Sequence, residues 1–291
     1  DFNLLSEMDI IIICVPTPIS KNREPDLQYV KSVMSQIAPF LRKGQLISLE
    51  STTYPGTTEE LIIPVIEEQN FTIGKDFYVV YSPERENPGG DIRQENITKI
   101  LGGATKVCSK KGHAIYSKVF KKVEIVSSIK IAELTKLLEN IHRAVNLGMI
   151  NEFKMICDKM GVDTMEVVDA AATKPFGFVP YYPGPGWGGH CIPVDPFYFS
   201  WKAKEFGMNA RFIELAGEMN LNVQDWLQEK ILHVLNLDGT ALSASKILLL
   251  GLSYKENVDD ARESPSLRLY NWISVNGGHV KYSDPHFPKF P

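Results

Sequence analysis

The sequence predicts an α/β fold in which two doubly wound regions flank an all-helical middle segment. Within Met8–Val15, the residues from Ile10 onwards form an unbroken apolar run rich in isoleucine, which is typical of a strand covered on both faces in a parallel sheet. A second apolar run, Ile247–Leu250, ends at Gly251 and is followed by a helical pattern. Between these runs, Ile131–Met160 contains no proline and carries apolar residues at helical spacing. These observations place sheets towards both ends of the chain and helices in its middle.

The composition is that of an ordinary globular protein. The 291 residues are 44% hydrophobic and 23% charged, and this length allows two domains with ample core. The formal net charge of −4 leaves no basic excess to engage phosphates, which argues against a nucleic-acid partner. The lysine-rich run at 106–122 is explained more simply as a solvated helix face. No apolar segment approaches the about 20 residues that a membrane span needs, and none resembles a signal peptide. We therefore expect no membrane partner.

The four cysteines are Cys14, Cys108, Cys157 and Cys191, and no two of them form a C-x-x-C pair. Scattered cysteines of this kind are typical of reduced thiols in a cytoplasmic protein and give little support to a zinc site. We therefore expect a cytoplasmic location and no bound metal.

Strand and helix patterns alternate after the first apolar run. Asp26 is a candidate N-cap for a helix from about Leu27 to Leu41, and Gly44 closes that helix. This alternation is that of βαβ units, in which helices connect neighbouring strands of a parallel sheet. The further elements expected in this region are strands at Gln45–Glu50, Phe77–Tyr81, 100–103 and 124–126 and helices at Thr57–Gln69 and Lys106–Val119.

Each of the first three strands runs into a polar loop that contains proline. The loops are Pro16–Pro18, Ser51–Gly56 and Ser82–Gly89. Ligands of open α/β sheets bind at the carboxyl ends of strands, so Thr17 is a candidate ligand contact. Serine, threonine and proline are also common in ordinary turns, so one such loop is weak evidence. Three loops at equivalent strand ends indicate a binding edge.

The proline-free segment predicts one helix of about 30 residues, which is about 45 Å long at 1.5 Å per residue. Such a length suits a connector or a dimer face. Lys136 and Asn140 lie four residues apart and must point in the same direction. The simpler alternative is a solvated face, because polar helix faces normally meet water. Gly161 ends the helix, and shorter helices are expected at Thr164–Ala172, Phe197–Phe206 and Phe212–Leu235.

A loop rich in proline, glycine and aromatic residues, Tyr181–Asp195, carries the most distinctive residues of the chain. Four glycines at 184–189 precede Cys191, and a thiol presented from such a loop with Asp195 nearby suits covalent catalysis through a thiolate. The alternative is a tight turn followed by a buried, inert cysteine. The loop also matches G-x-G-x-x-G formally. We reject that match as a dinucleotide fingerprint, because prolines flank it rather than a strand and a helix.

The last segment predicts a second βαβ unit. A buried strand reaches Gly251, a helix covers Ser266–Asn276, and a strand follows at His279–Ser283. Lys255 and Arg262 fall in the first strand-to-helix loop, where anionic groups are commonly held. The chain enters a core strand within ten residues of its start and stops directly after a strand. We therefore expect a fragment that lacks material at both ends.

Together these motifs resemble the nucleotide-sugar (UDP-sugar) dehydrogenases over essentially the whole chain. PERENPG and KPFGFVPYYPGPG are most similar to the UDP-N-acetylglucosamine 6-dehydrogenase branch. In the UDP-glucose branch a second glutamate would stand where this chain has Pro88, so the role of that glutamate is not transferred. The matching motifs are, in order, CVPTP at Cys14–Pro18, STTYPG at Ser51–Gly56, SPERENPG at Ser82–Gly89, TKLLEN at Thr135–Asn140, GGHCIPVD at Gly188–Asp195 and GLSYKENVDDARESP at Gly251–Pro265.

The resemblance implies two Rossmann-like doubly wound domains joined by a central helical dimerisation region. NAD is then the cofactor, a UDP-sugar the substrate, and a homodimer or higher homo-oligomer the assembly. We expect the remainder of the NAD-binding domain at 1–127, the helical dimerisation and catalytic region at 128–236, and the start of the UDP-binding domain at 237–291. The family's N-terminal G-x-G-x-x-G and ribose-binding acid do not occur in the sequence, so both Rossmann-like domains are expected to be truncated.

The resemblance also implies a four-electron oxidation of the sugar's 6-hydroxymethyl group to a carboxylate, with two NAD+ consumed. Cys191 as thiolate adds to the aldehyde, and the thiohemiacetal becomes a thioester that water hydrolyses. Lys136 and Asn140 stabilise the developing oxyanion. Asp195 orients water or the lysine, and Glu84 is the general base of the hydrolysis. The product would serve as a precursor of surface polysaccharide.

The remaining site residues are likewise implied by the resemblance. Thr53 positions water near the nicotinamide, and Arg262 reaches the cofactor phosphates. The segment Tyr182–Gly188 closes over the substrate. Contacts to NAD are assigned to Val15, Thr17, Thr52, Thr53 and Arg262, and contacts to the substrate to Glu84, Arg85, Lys136, Asn140, Tyr182, Gly186, Gly188 and Lys255.

Two rival functions remain open on the sequence. A two-electron NAD-dependent hydroxyacid-type dehydrogenase would share the fold and use Lys136, but it has no need of Cys191. A non-catalytic dimerisation fragment is expected if the truncated domains do not hold their ligands. The number of NADH formed per substrate separates the first rival, and a direct measurement of NAD binding separates the second.

Overall fold

The computed structural model describes residues 2–291, which form two compact units. The first unit comprises the chain up to Glu139 together with Phe197–Asn209. The second unit comprises Asn140–Pro196 and Ala210–Pro291. The boundary after Glu139 falls within one long helix. The division into three functional domains at 127 and 236 stays a prediction.

A five-stranded sheet forms the centre of the first unit. Its strands are β1 (Ile10–Ile13), β2 (Leu46–Leu49), β3 (Tyr78–Tyr81), β4 (Lys99–Gly103) and β5 (Val123–Val126), in the order β1-β2-β3-β4-β5. β1, β2 and β3 are parallel, with Ile10 opposite Leu46 and Leu46 opposite Tyr78. β4 is antiparallel to β3 and parallel to β5. The predicted α/β fold with parallel strands is confirmed, and the sheet is mixed at one pair.

The antiparallel pair follows from the connection between β3 and β4. A parallel neighbour needs a crossover connection, usually a helix, whereas this connection carries a 3₁₀ turn at Gln94–Asn96. β4 and β5 are joined through helix α3 (Lys106–Tyr116) and are parallel. Gly102 in β4 allows a close approach of the chain, since a Cβ there would lie 2.5 Å from the carbonyl oxygen of Ser128.

The main core forms where the sheet packs against the helices of the first unit. Helix α1 (Gln28–Ile37) buries one stripe of apolar residues, and β2 is buried along its whole length. This packing holds the carboxyl ends of β1, β2 and β3 at one edge of the sheet. The core includes Ile13, Val30, Met34, Ile37, Ile47, Leu49, Ile62, Ile66, Phe77, Val79, Tyr81 and Ile129.

Two predicted boundaries near the first strand are wrong by a few residues. β1 ends at Ile13 rather than at Val15, and the chain then enters the proline-containing loop. Asp26 is not the N-cap residue of α1, because Leu27 occupies that position. The Asp26 carboxylate still accepts a hydrogen bond from the backbone N–H of Gln28 at 3.0 Å.

The helix predicted at Thr57–Gln69 is irregular. It begins with a π-helical turn, Thr58–Ile62, and continues as α2, Ile63–Glu68. Pro64 lies in its first α-helical turn and has no N–H, so a regular hydrogen-bond ladder cannot pass through this position. The 3₁₀ helices of the described chain are Phe2–Glu7, Ala38–Phe40, Gln94–Asn96 and Leu242–Ala244.

The middle of the chain is helical, as expected. Helix α4 runs without a break over Ile129–Met160, and Gly161, with φ of +71°, follows its end. Gly148 in α4 allows a close approach to α7, because a Cβ would lie 3.1 Å from the Cα of Ala216. The helices after α4 are α5 (Thr164–Ala172), α6 (Asp195–Glu205) and α7 (Arg211–Leu237).

A separate two-stranded sheet lies in the second unit. Its parallel strands are β6 (Lys246–Leu250) and β7 (His279–Ser283), with helix α8 (Pro265–Val275) between them in the sequence. The predicted second sheet is therefore confirmed. The predicted burial of its first strand is wrong, since Leu248 and Leu250 of β6 are exposed. Across residues 2–291, no helix combines the length and the apolar character needed to cross a bilayer.

Candidate active site

The loops after β1 and β2 are tied to each other at the carboxyl edge of the first sheet. The Ser51 hydroxyl donates to the carbonyl oxygen of Val15 at 2.6 Å, and the Thr17 hydroxyl donates to the carbonyl oxygen of Thr52 at 2.7 Å. Parallel strands bring these loops together, because both strands end at the same edge. The structure thus brings together Val15, Thr17 and Thr52, which are the residues predicted to contact a cofactor.

Thr53 differs from its neighbours in the same loop. Its side chain is completely buried, and its hydroxyl oxygen has no hydrogen-bond partner in the protein. A buried polar group without a partner costs free energy, and such groups often mark a functional position. The Thr53 hydroxyl is therefore a candidate for a hydrogen bond to a ligand or to a buried water molecule.

The loop after β3 fixes the orientation of Glu84. One carboxylate oxygen accepts a hydrogen bond from the backbone N–H of Arg85 at 2.8 Å, and the other accepts one from the Gln94 amide at 2.7 Å. The Arg85 guanidinium pairs with the Glu139 carboxylate at 2.6 Å and donates to the carbonyl oxygen of Thr98 at 2.7 Å. The guanidinium of Arg85, a predicted substrate contact, is thus engaged within the protein.

A buried charged cluster lies beneath these loops, and the sequence reading missed it. The Lys99 ammonium donates to the Glu50 carboxylate at 2.7 Å, and the Tyr116 hydroxyl donates to the other Glu50 oxygen at 2.5 Å. Ser48 and Tyr116 share a further hydrogen bond of 2.7 Å. Burial, followed by the charge of Glu50, raises the pKa of the Tyr116 phenol, so this hydroxyl stays protonated. A lysine at the start of a strand was the only sequence signal for this cluster.

In the second unit, Asn140 and Asp195 meet beside Cys191. The Asn140 amide donates to the Asp195 carboxylate at 2.5 Å, and both side chains are buried. The backbone N–H of Asp195 donates to the carbonyl oxygen of Cys191 at 2.8 Å, which fixes the start of α6 against the cysteine. Cys191 itself is half-buried, rather than sealed in the core. Lys136 is half-buried on α4, four residues before Asn140 and therefore on the same helical face.

Amide side chains hold the glycine loop that precedes Cys191. The Asn151 carbonyl oxygen accepts from the backbone N–H of Gly184 at 2.9 Å, and the Asn220 carbonyl oxygen accepts from the backbone N–H of Trp187. Both asparagines lie within long helices. A polar residue on the apolar side of a predicted helix was the sequence feature that could have indicated them. Gly186 between these contacts has φ of +133°, a conformation that side chains other than glycine rarely adopt.

The same loop makes two further contacts. The Tyr182 hydroxyl donates to the Asp169 carboxylate at 2.8 Å, and this hydrogen bond raises the pKa of Tyr182. Gly188 packs against Tyr254, since a Cβ on this glycine would lie 2.5 Å from the Tyr254 Cβ. Tyr254 also interacts electrostatically with Cys191, and burial, then Asp260 and Cys191, raise the pKa of Tyr254. Because Gly188 has no side chain, Tyr254 can pack closely against the loop that precedes Cys191.

Cationic side chains gather in the loop after β6. Burial of its ammonium, and then the nearby Arg143 guanidinium, lower the pKa of Lys255. Arg262 pairs with the Asp260 carboxylate at 2.6 Å, and this hydrogen bond raises the pKa of Arg262. The backbone carbonyl of Arg262 accepts from Gly189 N–H at 2.9 Å. Two cations that lie close together, Lys255 and Arg143, suit an anionic ligand group.

The predicted site residues thus divide between the two units. Each unit holds one group of these residues. Their catalytic, cofactor-binding and substrate-binding roles stay predictions. The first unit holds Val15, Thr17, Thr52, Thr53, Glu84, Arg85 and Lys136, and the second holds Asn140, Tyr182, Gly186, Gly188, Cys191, Asp195, Lys255 and Arg262.

Three domain models of one protein family match this chain. The models describe the NAD binding domain, the central domain and the UDP binding domain of the UDP-glucose/GDP-mannose dehydrogenase family, and they match residues 2–120, 130–222 and 248–291. The chain belongs to this family. The cofactor of the family is NAD, as expected from the resemblance.

Relatives within the family match almost the whole chain. Protein CapL from Staphylococcus aureus is 37% identical over 283 residues, which cover 96% of this chain and 66% of that protein. UDP-N-acetyl-D-glucosamine 6-dehydrogenase from Pseudomonas aeruginosa is 34% identical over 289 residues, which cover 98% and 68%. The structure of UDP-D-ManNAc dehydrogenase from Pyrococcus horikoshii superposes with a TM-score of 0.91 at 31% identity and covers 98% of this chain and 68% of that one. The chain therefore spans about two thirds of the length of these relatives.

The first unit fits part of a NAD-binding site. The loops after β1 and β2 converge at the carboxyl edge of a parallel sheet, and the Thr53 hydroxyl is buried there without a partner. No G-x-G-x-x-G turn follows β1, β2 or β3 within residues 2–291, so the residues of the first unit fit contacts to parts of the cofactor other than its phosphates.

Proposed function

We propose that the protein is an NAD-dependent dehydrogenase that oxidises the 6-hydroxymethyl group of a UDP-N-acetylhexosamine to a carboxylate, with UDP-N-acetylglucosamine as the first candidate. The observation that carries this proposal is the buried Asn140–Asp195 hydrogen bond directly beside a half-buried Cys191. Family membership supports the reaction class. Two relatives support the substrate class, since one is named for UDP-N-acetyl-D-glucosamine and one for UDP-D-ManNAc.

Cys191 supplies the covalent step. Its thiolate forms a carbon–sulfur bond to the C6 aldehyde, and the carbonyl oxygen becomes the oxyanion of a thiohemiacetal. Loss of a hydride from C6 gives a thioester. Water then adds to the thioester carbonyl, the carbon–sulfur bond breaks, and the carboxylate leaves while the thiolate is restored. NAD, held by Val15, Thr17 and Thr52, would supply the hydride acceptor for both oxidations.

Lys136 and Asn140 stabilise the oxygen that becomes negative in these steps. They share one face of α4, and hydrogen-bond donors fixed in advance towards a developing oxyanion lower the barrier. Asp195 fixes the Asn140 amide through their short hydrogen bond, so the amide is oriented before the substrate arrives. Asp195 then acts on water or on Lys136 through the same carboxylate.

Glu84 is the general base that activates water for thioester hydrolysis. Its two oxygens are already oriented by Arg85 N–H and the Gln94 amide. A carboxylate held in one orientation is suited to take a proton from a positioned water. Thr53, whose buried hydroxyl lacks a protein partner, positions water.

The remaining roles concern binding. Val15, Thr17 and Thr52 contact NAD at the sheet edge, and Arg262 reaches its phosphates. The scattered cysteines, which form no disulfide within residues 2–291, support a reducing, cytoplasmic setting. The substrate contacts are assigned to Glu84, Arg85, Lys136, Asn140, Tyr182, Gly186, Gly188 and Lys255, with Lys255 and the nearby Arg143 facing the diphosphate.

A two-fold assembly through the central helices is part of the proposal. Helices α4 and α7 expose large apolar side chains, which a stable protein usually covers with a partner. The exposed set includes Leu138, Met149, Phe153, Ile156, Met160, Phe212, Leu215 and Leu221.

Counting NADH per sugar tests the proposed function. The protein should form two NADH per UDP-N-acetylhexosamine, while Cys191→Ser should retain sugar binding and fail to complete the second oxidation. Rapid-quench measurement of NADH per active site separates these outcomes. Cys157→Ser, at a buried thiol outside the site, is the matched control and should keep two NADH per sugar.

Three outcomes would contradict the proposal. One NADH per substrate would favour the two-electron hydroxyacid-type dehydrogenase. Failure to bind NAD in calorimetry would favour the non-catalytic dimerisation fragment. Sustained turnover of Cys191→Ser at two NADH per sugar would remove Cys191 from the mechanism.

A further inference from the structure

The buried ion pair between Lys99 and Glu50 also touches the loop that carries Glu84. The Lys99 side chain is 3% exposed and that of Glu50 is 12% exposed. Besides Glu50, the Lys99 ammonium donates to the carbonyl oxygen of Pro83 at 3.2 Å, the residue directly before Glu84. It also lies 3.9 Å from the Glu84 carboxylate itself. One buried cation therefore contacts both the backbone and the charge of the same loop segment.

The surroundings of Lys99 leave its ammonium little freedom to move. The rings of Tyr116 and Phe120 lie 5.4 Å and 5.2 Å from its nitrogen, within the range of cation–π attraction. Tyr116 in turn donates to Glu50, so the ammonium, the carboxylate and the ring form one connected cluster. The Glu84 side chain is 41% exposed at the rim of this cluster.

A second observation places the three charges together. Burial, then Glu50, raises the pKa of the Cys14 thiol, while Lys99 lowers it and Glu84 raises it. All three groups therefore act on the thiol of Cys14, the residue directly after β1. The carboxylates of Glu50 and Glu84 flank a single ammonium, so Lys99 is the group that offsets the repulsion between them.

We propose that Lys99 is a positioning residue for Glu84, which it holds in place from inside the fold through the Pro83 carbonyl and the Glu84 carboxylate. The inference rests on the proposed function, in which Glu84 is the base of thioester hydrolysis. Lys99 is buried, so it acts through Glu84 rather than directly on the substrate. It acts on one step only, because Glu84 has no role in the two hydride transfers.

Stability alone does not account for this ion pair. A buried salt bridge contributes little net stability, because the cost of removing both charges from water roughly offsets their attraction. Two well-packed apolar residues at these positions would serve the core equally well. The contacts to Pro83 and Glu84 are what an apolar pair cannot reproduce.

Substitution of Lys99 separates hydrolysis from oxidation. In Lys99→Met, each active site should form two NADH in a rapid burst, after which turnover slows about 10²-fold because a base displaced by about 1 Å loses rate on that scale. The thioester should then accumulate on Cys191 and appear by intact-protein mass spectrometry. Lys99→Arg keeps a cation and several donors and should recover most of the hydrolysis rate.

A double variant distinguishes the loss of Glu84 positioning from a general loss of stability. Lys99→Met alone leaves the Glu50 carboxylate buried without a cation, which destabilises the protein. Lys99→Met combined with Glu50→Leu removes both charges and should restore the melting temperature while the thioester still accumulates. Lys43→Met is the matched control, since it removes a lysine from a surface ion pair with Asp76 at 3.1 Å and should leave both steps unchanged.

The outcomes distinguish the inference from the proposed function. If the unsubstituted protein forms no NADH, the proposed function and the inference fall together. If it forms two NADH per sugar and Lys99→Met accumulates no thioester, the inference alone is overturned. Recovery of full hydrolysis in the double variant would show that Lys99 serves only stability, and would overturn it as well.

Discussion

The two units hold their functional loops by different chemistry. In the first unit, the loop after β2 is held by the carboxylate of Glu133, a completely buried residue of α4. That carboxylate accepts from the backbone N–H of Gly56 at 2.5 Å, from the backbone N–H of Thr58 at 3.0 Å and from the Thr58 hydroxyl at 2.8 Å. In the second unit, the glycine loop is held by the neutral amides of Asn151 and Asn220.

The difference shows how burial and charge set the strength of a loop anchor. A buried carboxylate must be fully hydrogen-bonded, and its loss leaves several donors without an acceptor in a region that water cannot reach. Loss of a neutral amide that accepts one hydrogen bond leaves one donor without an acceptor, so the expected loss of stability is smaller. Loss of Glu133 should therefore lower the free energy of unfolding strongly, whereas loss of Asn151 or Asn220 should lower it less.

Removal of Glu133 should give the largest loss of stability. Glu133→Ala leaves three buried donors unsatisfied, and at about 1–3 kcal/mol for each we expect a loss of at least about 3 kcal/mol in the free energy of unfolding. Urea denaturation measures this loss. Glu152→Ala, at an exposed position of the same helix, should change stability by no more than about 0.5 kcal/mol. Equal effects of the two substitutions would contradict the role of Glu133.

Removal of Asn220 should have a smaller effect. Asn220→Ala deprives the buried Trp187 N–H of its acceptor, which should cost about 1–2 kcal/mol. Asn151→Ala should cost less, because Gly184 is exposed and water can replace the lost acceptor. Asn222→Ala, exposed on the same helix as Asn220, is the control. A loss at Asn151 that exceeds the loss at Asn220 would contradict the proposed dependence on burial.

Asp284 allows the effect of charge to be tested apart from the effect of burial, because its carboxylate anchors a loop at a partly exposed position. Its carboxylate accepts from the backbone N–H groups of Leu252 at 2.6 Å and of Ser253 at 3.0 Å. Burial opposes ionisation, but these hydrogen bonds and that from His286 outweigh it and lower the pKa of Asp284 to about 2. In the unfolded chain this pKa returns to its ordinary value, so the stabilisation is complete above about pH 4.

The stabilisation by Asp284 is therefore expected at neutral pH and should be lost in acid. The unsubstituted protein should exceed Asp284→Asn in stability at neutral pH, and the difference should disappear as the pH falls through the ordinary range towards about 2. Thermal unfolding between pH 2 and pH 7 measures the difference. Ser283→Ala, a neutral and exposed neighbour, should follow the unsubstituted protein throughout. A difference that grows on acidification would contradict the assignment.

Glu133 should show the opposite slope. Burial raises the pKa of Glu133, although the hydrogen bonds from Gly56 and Thr58 oppose the shift. The folded state then binds a proton more tightly than the unfolded chain, so the contribution of Glu133 falls as the pH rises above its ordinary range. The two carboxylates thus sharpen the comparison, since the buried Glu133 stabilises the fold more at acidic pH and the partly exposed Asp284 stabilises it more at neutral pH.

Local sequence alone determined most elements and the position of the chemically distinctive loops. The apolar runs predict β1, β2, β3 and β6. Burial on both faces was wrong for β1 and β6, since Ile10 and Ile12 in β1 and Leu248 and Leu250 in β6 are exposed. The proline-free periodic segment predicts α4. Glycines before Cys191 and hydroxyls after the strands identify the loops, because these residue types are needed wherever the backbone turns sharply or meets a ligand.

Only the tertiary structure decided which side chains anchor these loops. Glu133 reaches Gly56 across 77 positions of the chain, and Lys99 reaches Glu50 across 49. A glutamate in a helix or a lysine in a strand carries no local signal of such a partner, because the partner is chosen by the packing of the sheet against the helices. The antiparallel direction of β4 was likewise not readable from its own residues, and it accompanies a connection from β3 that contains no α-helix.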